Sequence, residues 1–236
     1  MEALVIDILQ KCFVNIHNNK NSLYYYNMKL RLIYPNIPFW RAETSRLALF
    51  IGGIEFEDLR PSREETMEMK TDGTFPFGQF PVLQVDGKTI AQTGAIARFC
   101  GKLSGLYPSN DDFAAAKVDE IIDLATDITT RMGPALREAD PKVRIEMRRE
   151  LSTTILPRWL GFLEKLLQDN GDTGFLVGDS ISVADLAVWR LCAWISGGII
   201  DGIPINMLEG FTLLSVHQSK ISNLPKVKEW IIRNHK

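Results

Sequence analysis

Two short stretches of this sequence could bind a ligand, because each leaves backbone groups free beside a turn or a helix start. Gln92-Thr93-Gly94 comes directly before apolar residues at helical spacing, and Thr93 is predicted to be the N-cap of that helix. Backbone N–H groups at a helix N-terminus attract anions. Upstream, Pro81 lacks a backbone donor and leaves the extended backbone of Phe80 free to pair with another molecule. Together the two stretches predict a rim that binds a peptide or an anion.

A β-hairpin and an earlier strand must position this rim. The apolar runs Val82–Val85 and Thr89–Ala91 flank Asp86-Gly87, which is the strongest short-range signal for a hairpin. Side chains alternate along Lys29–Tyr34, and this pattern predicts a strand. We expect Tyr34, at the end of that strand, to face the same rim. Its hydroxyl has an ordinary pKa of about 10, so it can donate a hydrogen bond at neutral pH.

The other patterns of the first half complete an α/β layer. A helix is expected from about Arg41 to Gly52, a second strand over Ile54–Leu59, and a further helix that begins near Ser62. The order strand, helix, strand, helix, hairpin, helix allows the first two strands to lie parallel.

From Phe113 onward the patterns are helical. A long helix that follows the first one should kink or break at Pro157. Ser182-Val183-Ala184-Asp185 predicts a capping box before an apolar helix over Leu186–Ile195, in which Asp185 is structural. Two segments complete this half: an irregular excursion over Gly197–Ser219 and a short helix that opens at Leu224-Pro225.

Composition excludes several classes of protein. The chain has 236 residues, 45% of them hydrophobic and 24% charged, which is ordinary for a soluble globular protein. A net charge of −2 gives no electrostatic case for nucleic acid. Cys12, Cys100 and Cys192 are widely spaced, which favours a reduced compartment without disulfides. No apolar run approaches the roughly 18–20 residues of a membrane span. We therefore expect a soluble, cytoplasmic protein.

The run PFGQFPVLQVDGKTIAQTGAIARF resembles the glutathione-binding half of cytosolic glutathione S-transferases, and is most similar to the sigma class that includes glutathione-dependent prostaglandin D synthase. The resemblance extends from Lys29 to the C-terminus. It implies an α/β thioredoxin-like N-terminal domain (residues 29–106), a linker (107–112) and an all-α helical-bundle C-terminal domain (113–236). Proteins of this family begin at about Met28, so residues 1–28 are expected to be an N-terminal extension that packs loosely or not at all.

The resemblance also implies roles for individual residues. Tyr34 would donate a hydrogen bond to the glutathione thiolate, and the positive charge of Arg41 would help to lower the thiol pKa. Phe80 would bind the cysteinyl backbone before a cis Pro81. Asp127 would reach the glutathione of the partner subunit in a homodimer. The remaining glutathione-binding residues are Lys70 at the glycyl carboxylate, Gln79 beside Phe80, and Gln92 and Thr93 at the γ-glutamyl end.

The sequence departs from the family pattern at three places. The Pro35–Trp40 loop carries one extra residue, Thr66 replaces a tryptophan, and Thr126 replaces an acid of the metal site in some prostaglandin synthases, so no metal is predicted. Phe39 and Trp40 either line the electrophile pocket or cap the interface between the two domains.

These features predict a homodimeric glutathione transferase that conjugates glutathione to small hydrophobic electrophiles. Two alternatives remain open. One is a glutathione-dependent isomerase similar to a prostaglandin synthase, and the other is a non-catalytic glutathione-binding or structural protein on the same fold.

Overall fold

A computed structural model describes residues 28–235 of the chain. The expected N-terminal extension, apart from Met28, lies outside the described residues. The first part is a mixed sheet covered by helices, and the second part is a bundle of helices. The predicted fold class, a thioredoxin-like domain followed by an all-helical domain, is confirmed.

The sheet has four strands in the order β2-β1-β3-β4, with β2 parallel to β1 and the other pairs antiparallel. The hairpin prediction is confirmed, because Asp86 and Gly87 join β3 to β4 with φ values of 49° and 80°. Positive φ at both positions matches the twist of the flanking strands, and Asp-Gly tolerates it. The strands are β1 Leu30–Ile33, β2 Glu57–Leu59, β3 Val82–Val85 and β4 Lys88–Ala91.

Three helices accompany the sheet and six form the second part of the described chain. The first three are α1 Trp40–Ile51, α2 Arg63–Met69 and α3 Thr93–Ser104. The others are α4 Asp112–Arg137, α5 Pro141–Glu150, α6 Leu156–Asp169, α7 Val183–Ile195, α8 Thr212–Ser222 and α9 Pro225–Asn234. Helix α1 packs against both α3 and α7, so it connects the sheet to the bundle. Among residues 28–235 no helix is long and apolar enough to cross a membrane.

The predicted break at Pro157 takes the form of a π-helical turn. Leu151–Ile155 separates α5 from α6, and Pro157 lies in the first turn of α6. Since proline has no N–H and its ring clashes with the preceding turn, the helix widens there instead of ending.

The prediction that Gly197–Ser219 is irregular was wrong for its last third, because α8 begins at Thr212. Leu214, His217 and Ile221 are buried at helical spacing. A buried histidine interrupts the apolar pattern of this helix, and this is why the periodicity was missed.

The Asp185 side chain interacts with the buried His217 and also caps the start of α7. The capping box with Ser182 is present, and the Asp185 carboxylate also accepts a hydrogen bond from the Leu176 N–H at 2.8 Å. The His217 Nε2 lies 3.0 Å from the same carboxylate, and both side chains are fully buried. One carboxylate therefore accepts hydrogen bonds from a loop N–H and from the N–H at the start of α7, and it also contacts the histidine of α8.

We predict that Asp185→Ala lowers the free energy of unfolding by at least about 2 kcal/mol, because it leaves several buried N–H groups without an acceptor. Urea unfolding measures this change. Asp179→Ala, the same substitution at a nearby exposed residue, should change stability by no more than about 0.5 kcal/mol. Equal effects of the two substitutions would contradict the proposed role of Asp185.

Candidate active site

Tyr34 follows the last residue of β1, and a backbone hydrogen bond fixes its position. Its N–H donates to the Leu59 carbonyl at 3.1 Å, and its side chain is only 6% exposed. The edge of its ring contacts the ring of Phe80, with centroids 5.8 Å apart. Within residues 28–235 the Tyr34 hydroxyl has no hydrogen-bond partner. The hydroxyl can therefore donate to a ligand at this position.

Burial raises the pKa of Tyr34 to about 12, although the positive charges of Arg41 and Arg46 act in the opposite direction. A pKa this high keeps the hydroxyl protonated throughout the physiological range. The side chain can donate a hydrogen bond to an anion, and it is not a base.

The turn before β3 leaves backbone groups free, as the sequence predicted. The Phe80–Pro81 peptide bond is cis, which confirms that prediction. Neither the N–H nor the carbonyl of Phe80 makes a hydrogen bond within the described residues. The Phe80 ring packs between Tyr34 and Phe75, and Gln79 is exposed beside it. An extended peptide could pair with this backbone by adding a short strand.

The start of α3 differs by one residue from the prediction. Gln92, not Thr93, is the N-cap, and it has φ 76° and ψ 126° without a capping side-chain hydrogen bond. A positive φ is unusual for glutamine and costs roughly 1–3 kcal/mol, and such strain is concentrated at ligand sites. Thr93 is the first helical residue, and its hydroxyl accepts a hydrogen bond from Arg41 at 3.4 Å. The free N–H groups of this first turn attract an anion.

Arg41 brings a partly buried cation to the same place. Burial lowers its pKa, while Tyr34 raises it. Its guanidinium lies 5.5 Å from the centre of the Trp40 ring and also donates to the Thr93 hydroxyl. The structure therefore brings together Tyr34, Arg41, Phe80 and Thr93.

Trp40 is fully buried, which favours the domain-interface alternative over a place in the electrophile pocket. Its indole N–H donates to the Thr129 hydroxyl of α4 at 2.8 Å. Phe39 is half-buried and packs edge to face on Trp194 of α7, with centroids 4.8 Å apart. Both aromatic residues thus join the start of α1 to the helical bundle.

Within residues 28–235 the side chains of Lys70 and Asp127 make no hydrogen bond or ion pair with this cluster. Lys70 is exposed at the end of α2. Asp127 is exposed on α4 and makes no ion pair within the described residues, whereas Asp123, one turn earlier, pairs with Arg98 at 3.2 Å. Thr126 donates to the Ile122 carbonyl of its own helix. Among the described residues no group of three or more His, Cys, Asp or Glu could hold a metal ion.

Sequence reasoning missed Arg46, a positioning residue for Tyr34. Its guanidinium is 1% exposed and donates to the backbone carbonyls of Tyr34 and Ile37 at 3.3 and 3.4 Å. Its Nε donates to the Asp58 carboxylate at 2.9 Å. The signal was available, since Arg46 falls on the buried face of α1 with Ala42 and Leu49 at helical spacing.

Glu43, one turn before Arg46, extends this network to the C-terminal helix. Its buried carboxylate accepts a hydrogen bond from the indole N–H of Trp230 and lies 3.5 Å from the His235 Nε2. Burial raises the pKa of Glu43, but His235, Arg46 and Trp230 together lower it further, so the net pKa is below its ordinary value of 4.5. The carboxylate is therefore charged at neutral pH.

Comparison with known proteins identifies the family. The profile described as the N-terminal domain of glutathione S-transferase matches residues 30–101, and the profile of the C-terminal domain matches residues 126–234. The chain is 31% identical to glutathione S-transferase 1 of Ascaris suum over 201 residues, which are 82% of this chain and 91% of that protein. The chain therefore belongs to the glutathione S-transferase family, and the predicted enzyme class is confirmed.

Solved structures agree with this assignment. Prostaglandin synthase D of Nilaparvata lugens superposes with a TM-score of 0.76 at 27% identity, covering 87% of this chain and 98% of that one. The monomeric Na-GST-3 of Necator americanus, a glutathione S-transferase, superposes with a TM-score of 0.72 at 30% identity, covering 87% and 97%. These relatives include both transferases and a prostaglandin synthase, so the sigma class stays a prediction.

We predict that Glu43→Gln lowers the free energy of unfolding at pH 7 by about 1–3 kcal/mol. The substitution keeps an acceptor for Trp230 but removes the negative charge that lies 3.8 Å from the buried Arg46 guanidinium. A lowered pKa stabilises the native protein above the unfolded value of about 4.5, and this contribution disappears as the pH falls through the folded value. The difference between native protein and variant should therefore shrink below about pH 4.5.

Urea unfolding at a series of pH values measures this difference. Glu64→Gln, the same substitution on an exposed turn of α2, is the matched control and should change stability little at any pH. A Glu43→Gln effect that stays constant from pH 7 to pH 3.5 would contradict the charge-based explanation.

Proposed function

We propose that the protein conjugates the glutathione thiolate to small hydrophobic electrophiles, and that the Tyr34 hydroxyl stabilises this thiolate. One observation carries the proposal. The largely buried side chain of Tyr34, whose hydroxyl makes no hydrogen bond within the described residues, packs on Phe80, and the nearby Arg41 reaches Thr93 at the start of α3. The donors and acceptors of this cluster match the chemical groups of a tripeptide with two carboxylates, an ammonium and a thiol.

Each part of the tripeptide has a proposed partner. Gln92 and Thr93 bind the γ-glutamyl end, where the helix start favours its carboxylate. The N–H and carbonyl of Phe80 pair with the cysteinyl backbone, and the cis Pro81 and exposed Gln79 shape this edge. In addition, Lys70 binds the glycyl carboxylate.

The chemical step depends on the charge of the sulfur. A thiol has an ordinary pKa of about 8.5, and the thiolate is the nucleophile. A hydrogen bond from Tyr34 favours the charged form, and the Arg41 guanidinium adds a positive charge nearby. Both groups are in place before the reaction, so little reorganisation is needed.

We further propose that the protein acts as a homodimer in which Asp127 binds the glutathione of the partner subunit. Asp127 is exposed and makes no ion pair within the described residues, while Asp123 is engaged by Arg98. The exposed apolar residues Met67 and Phe77 of the first part offer surface that a dimer could bury. The monomeric relative from Necator americanus makes a monomer the alternative.

Asp127→Asn should weaken glutathione binding by about 10-fold, because it removes a charge-assisted hydrogen bond. Calorimetric titration measures the affinity, and sedimentation measures the oligomeric state. Asp112→Asn, at an exposed residue of the same helix, is the control and should bind normally. A monomer that binds glutathione with unchanged affinity after Asp127→Asn would contradict the proposal.

A second candidate function is a glutathione-dependent isomerase. The similarity to prostaglandin synthase D of Nilaparvata lugens favours it. Product analysis with an endoperoxide substrate separates the two, since an isomerase returns glutathione unchanged and a transferase consumes it. A protein that binds glutathione but does neither would be the non-catalytic alternative.

A role in detoxification, the cytoplasmic location and the domain limits 29–106, 107–112 and 113–236 belong to the same proposal. The family assignment supports them.

We predict that Tyr34→Phe lowers kcat/KM for conjugation by about 10–100-fold, the loss expected for one hydrogen bond to a charged group. Initial rates with a chromogenic electrophile measure it. Tyr107→Phe is the matched control, because this tyrosine donates to Asp119 at 2.9 Å, outside the Tyr34 cluster. Equal rates for native protein and Tyr34→Phe would contradict a role for this hydroxyl.

A further inference from the structure

Arg60 follows β2 and uses its guanidinium to connect three parts of the fold. Its Nε donates to the Asp58 carboxylate at 2.8 Å, and its Nη1 donates to the side-chain oxygen of Asn36 at 2.7 Å. Its Nη2 donates to the side-chain oxygen of Asn234 at 3.2 Å. Asn36 lies two residues after Tyr34, and Asn234 is the last residue of α9. One side chain therefore joins the end of β2, the loop after Tyr34 and the C-terminal helix.

Arg60 and Arg46 share the Asp58 carboxylate. Each guanidinium donates to a different oxygen, since Arg46 lies 2.9 Å from Oδ1 and Arg60 lies 2.8 Å from Oδ2. Arg46 donates to backbone carbonyls of the loop after Tyr34, whereas Arg60 donates to a side chain of the same loop. A guanidinium presents its donors in a rigid planar fork, so three acceptors in fixed directions select arginine over lysine. The contacts of Arg60 therefore depend on the shape of its side chain and not on its charge alone.

Further hydrogen bonds fix the end of α9 beside Arg60. The Asn234 Nδ2 donates to the Trp230 carbonyl of its own helix at 3.1 Å, which leaves the Asn234 side-chain oxygen to accept from Arg60. The Trp230 indole in turn donates to Glu43 of α1. Hydrogen bonds thus connect α9 directly to α1 and, through Arg60, to the loop after Tyr34.

Arg60 is more exposed than Arg46. Its side chain is 24% exposed and lines a small cavity of about 200 Å³ together with Asn36 and Asn234, whereas Arg46 is 1% exposed. Replacing Arg60 leaves Asp58 paired with Arg46, so no buried charge loses its only partner. A variant at position 60 should therefore fold, and its effect on the loop can be measured separately from global unfolding.

We propose that Arg60 is a positioning residue for Tyr34, because it fixes the loop after Tyr34 against the end of α9. This inference rests on the proposed function and adds to it a residue that acts through Tyr34. The Tyr34 hydroxyl must stay within hydrogen-bond distance of the glutathione sulfur, and a displacement of about 1 Å can cost roughly 100-fold in rate. The bridge from α9 through Arg60 restricts such a displacement before glutathione binds.

Hydrogen exchange of the ligand-free protein tests the restraint on the loop. The Ile37 and Phe39 amides donate to carbonyls of the same loop, so their exchange reports its opening. We expect at least about 5-fold faster exchange in Arg60→Lys than in the native protein, because lysine keeps a charge beside Asp58 but cannot reach all three acceptors. Arg63→Lys, at an exposed residue of α2, is the matched control and should leave exchange unchanged. Equal exchange in the native protein and Arg60→Lys would overturn the proposal.

The contribution of α9 is tested with Asn234→Ala. This substitution removes the acceptor that α9 offers to Arg60, so exchange of the loop amides should be at least about 3-fold faster. Because both residues act through one bridge, adding Asn234→Ala to Arg60→Lys should change exchange by less than about 2-fold. Lys228→Ala, at an exposed residue of the same helix, should leave exchange unchanged. Additive effects of the two substitutions would overturn a common bridge.

Ultraviolet titration of bound glutathione tests the consequence for Tyr34. In Arg60→Lys the bound thiol should have a pKa at least about 0.5 above that in the native protein, because the Tyr34 hydrogen bond to the thiolate is weakened. The kcat for conjugation should fall by about 10-fold, while KM for the electrophile changes by less than about 2-fold. A loss of stability alone would lower the amount of active protein and would not move the thiol pKa.

Faster loop exchange in Arg60→Lys with an unchanged thiol pKa would overturn the positioning role. A native protein that binds no glutathione would instead contradict the proposed function, and the exchange measurement would still decide whether Arg60 restrains the loop.

Discussion

The buried guanidinium of Arg46 is the constraint on which the placement of the active site depends. An arginine cannot lose its charge inside a protein, so a side chain that is 1% exposed must be fully paired. Asp58 supplies the carboxylate. Three backbone carbonyls of the loop accept the other hydrogen bonds, those of Tyr34, Pro35 and Ile37. Pairing this charge therefore fixes the loop that carries Tyr34, the residue proposed to stabilise the thiolate.

The helical bundle holds the same loop from the other side. Trp230 of α9 donates to Glu43, and Arg190 of α7 donates to the Pro38 carbonyl. The Trp40 indole, just after this loop, donates to Thr129 of α4. Contacts from three bundle helices restrict the start of α1, so Tyr34 is positioned before any ligand arrives. Such preorganisation makes a single hydrogen bond effective in catalysis.

Local signals made much of the fold predictable. Asp86-Gly87 set the hairpin, and Ser182 with Asp185 set the start of α7, because turns and caps depend on neighbouring residues. The cluster of Tyr34, Phe80 and Thr93 was expected from the place of Tyr34 at the end of the first predicted strand and from the family resemblance.

The features that sequence analysis did not predict are long-range side-chain interactions and an unusual backbone conformation. Arg46 pairs with Asp58, and Trp40 donates to Thr129. Each of these interactions joins separate elements of the fold, and no local sequence pattern identifies the partner. The positive φ of Gln92 is imposed by its surroundings and has no signal in its residue type. These features determine whether the predicted residues can contact the same ligand. They could be identified only from the three-dimensional structure. The most direct test is ultraviolet difference titration of the glutathione thiol bound to the native protein and to Tyr34→Phe. We expect a pKa at least about one unit below the free value of 8.5 in the native protein, returning toward that value in the variant. A bound thiol with an unshifted pKa, or an equal shift in both proteins, would contradict thiolate stabilisation by Tyr34.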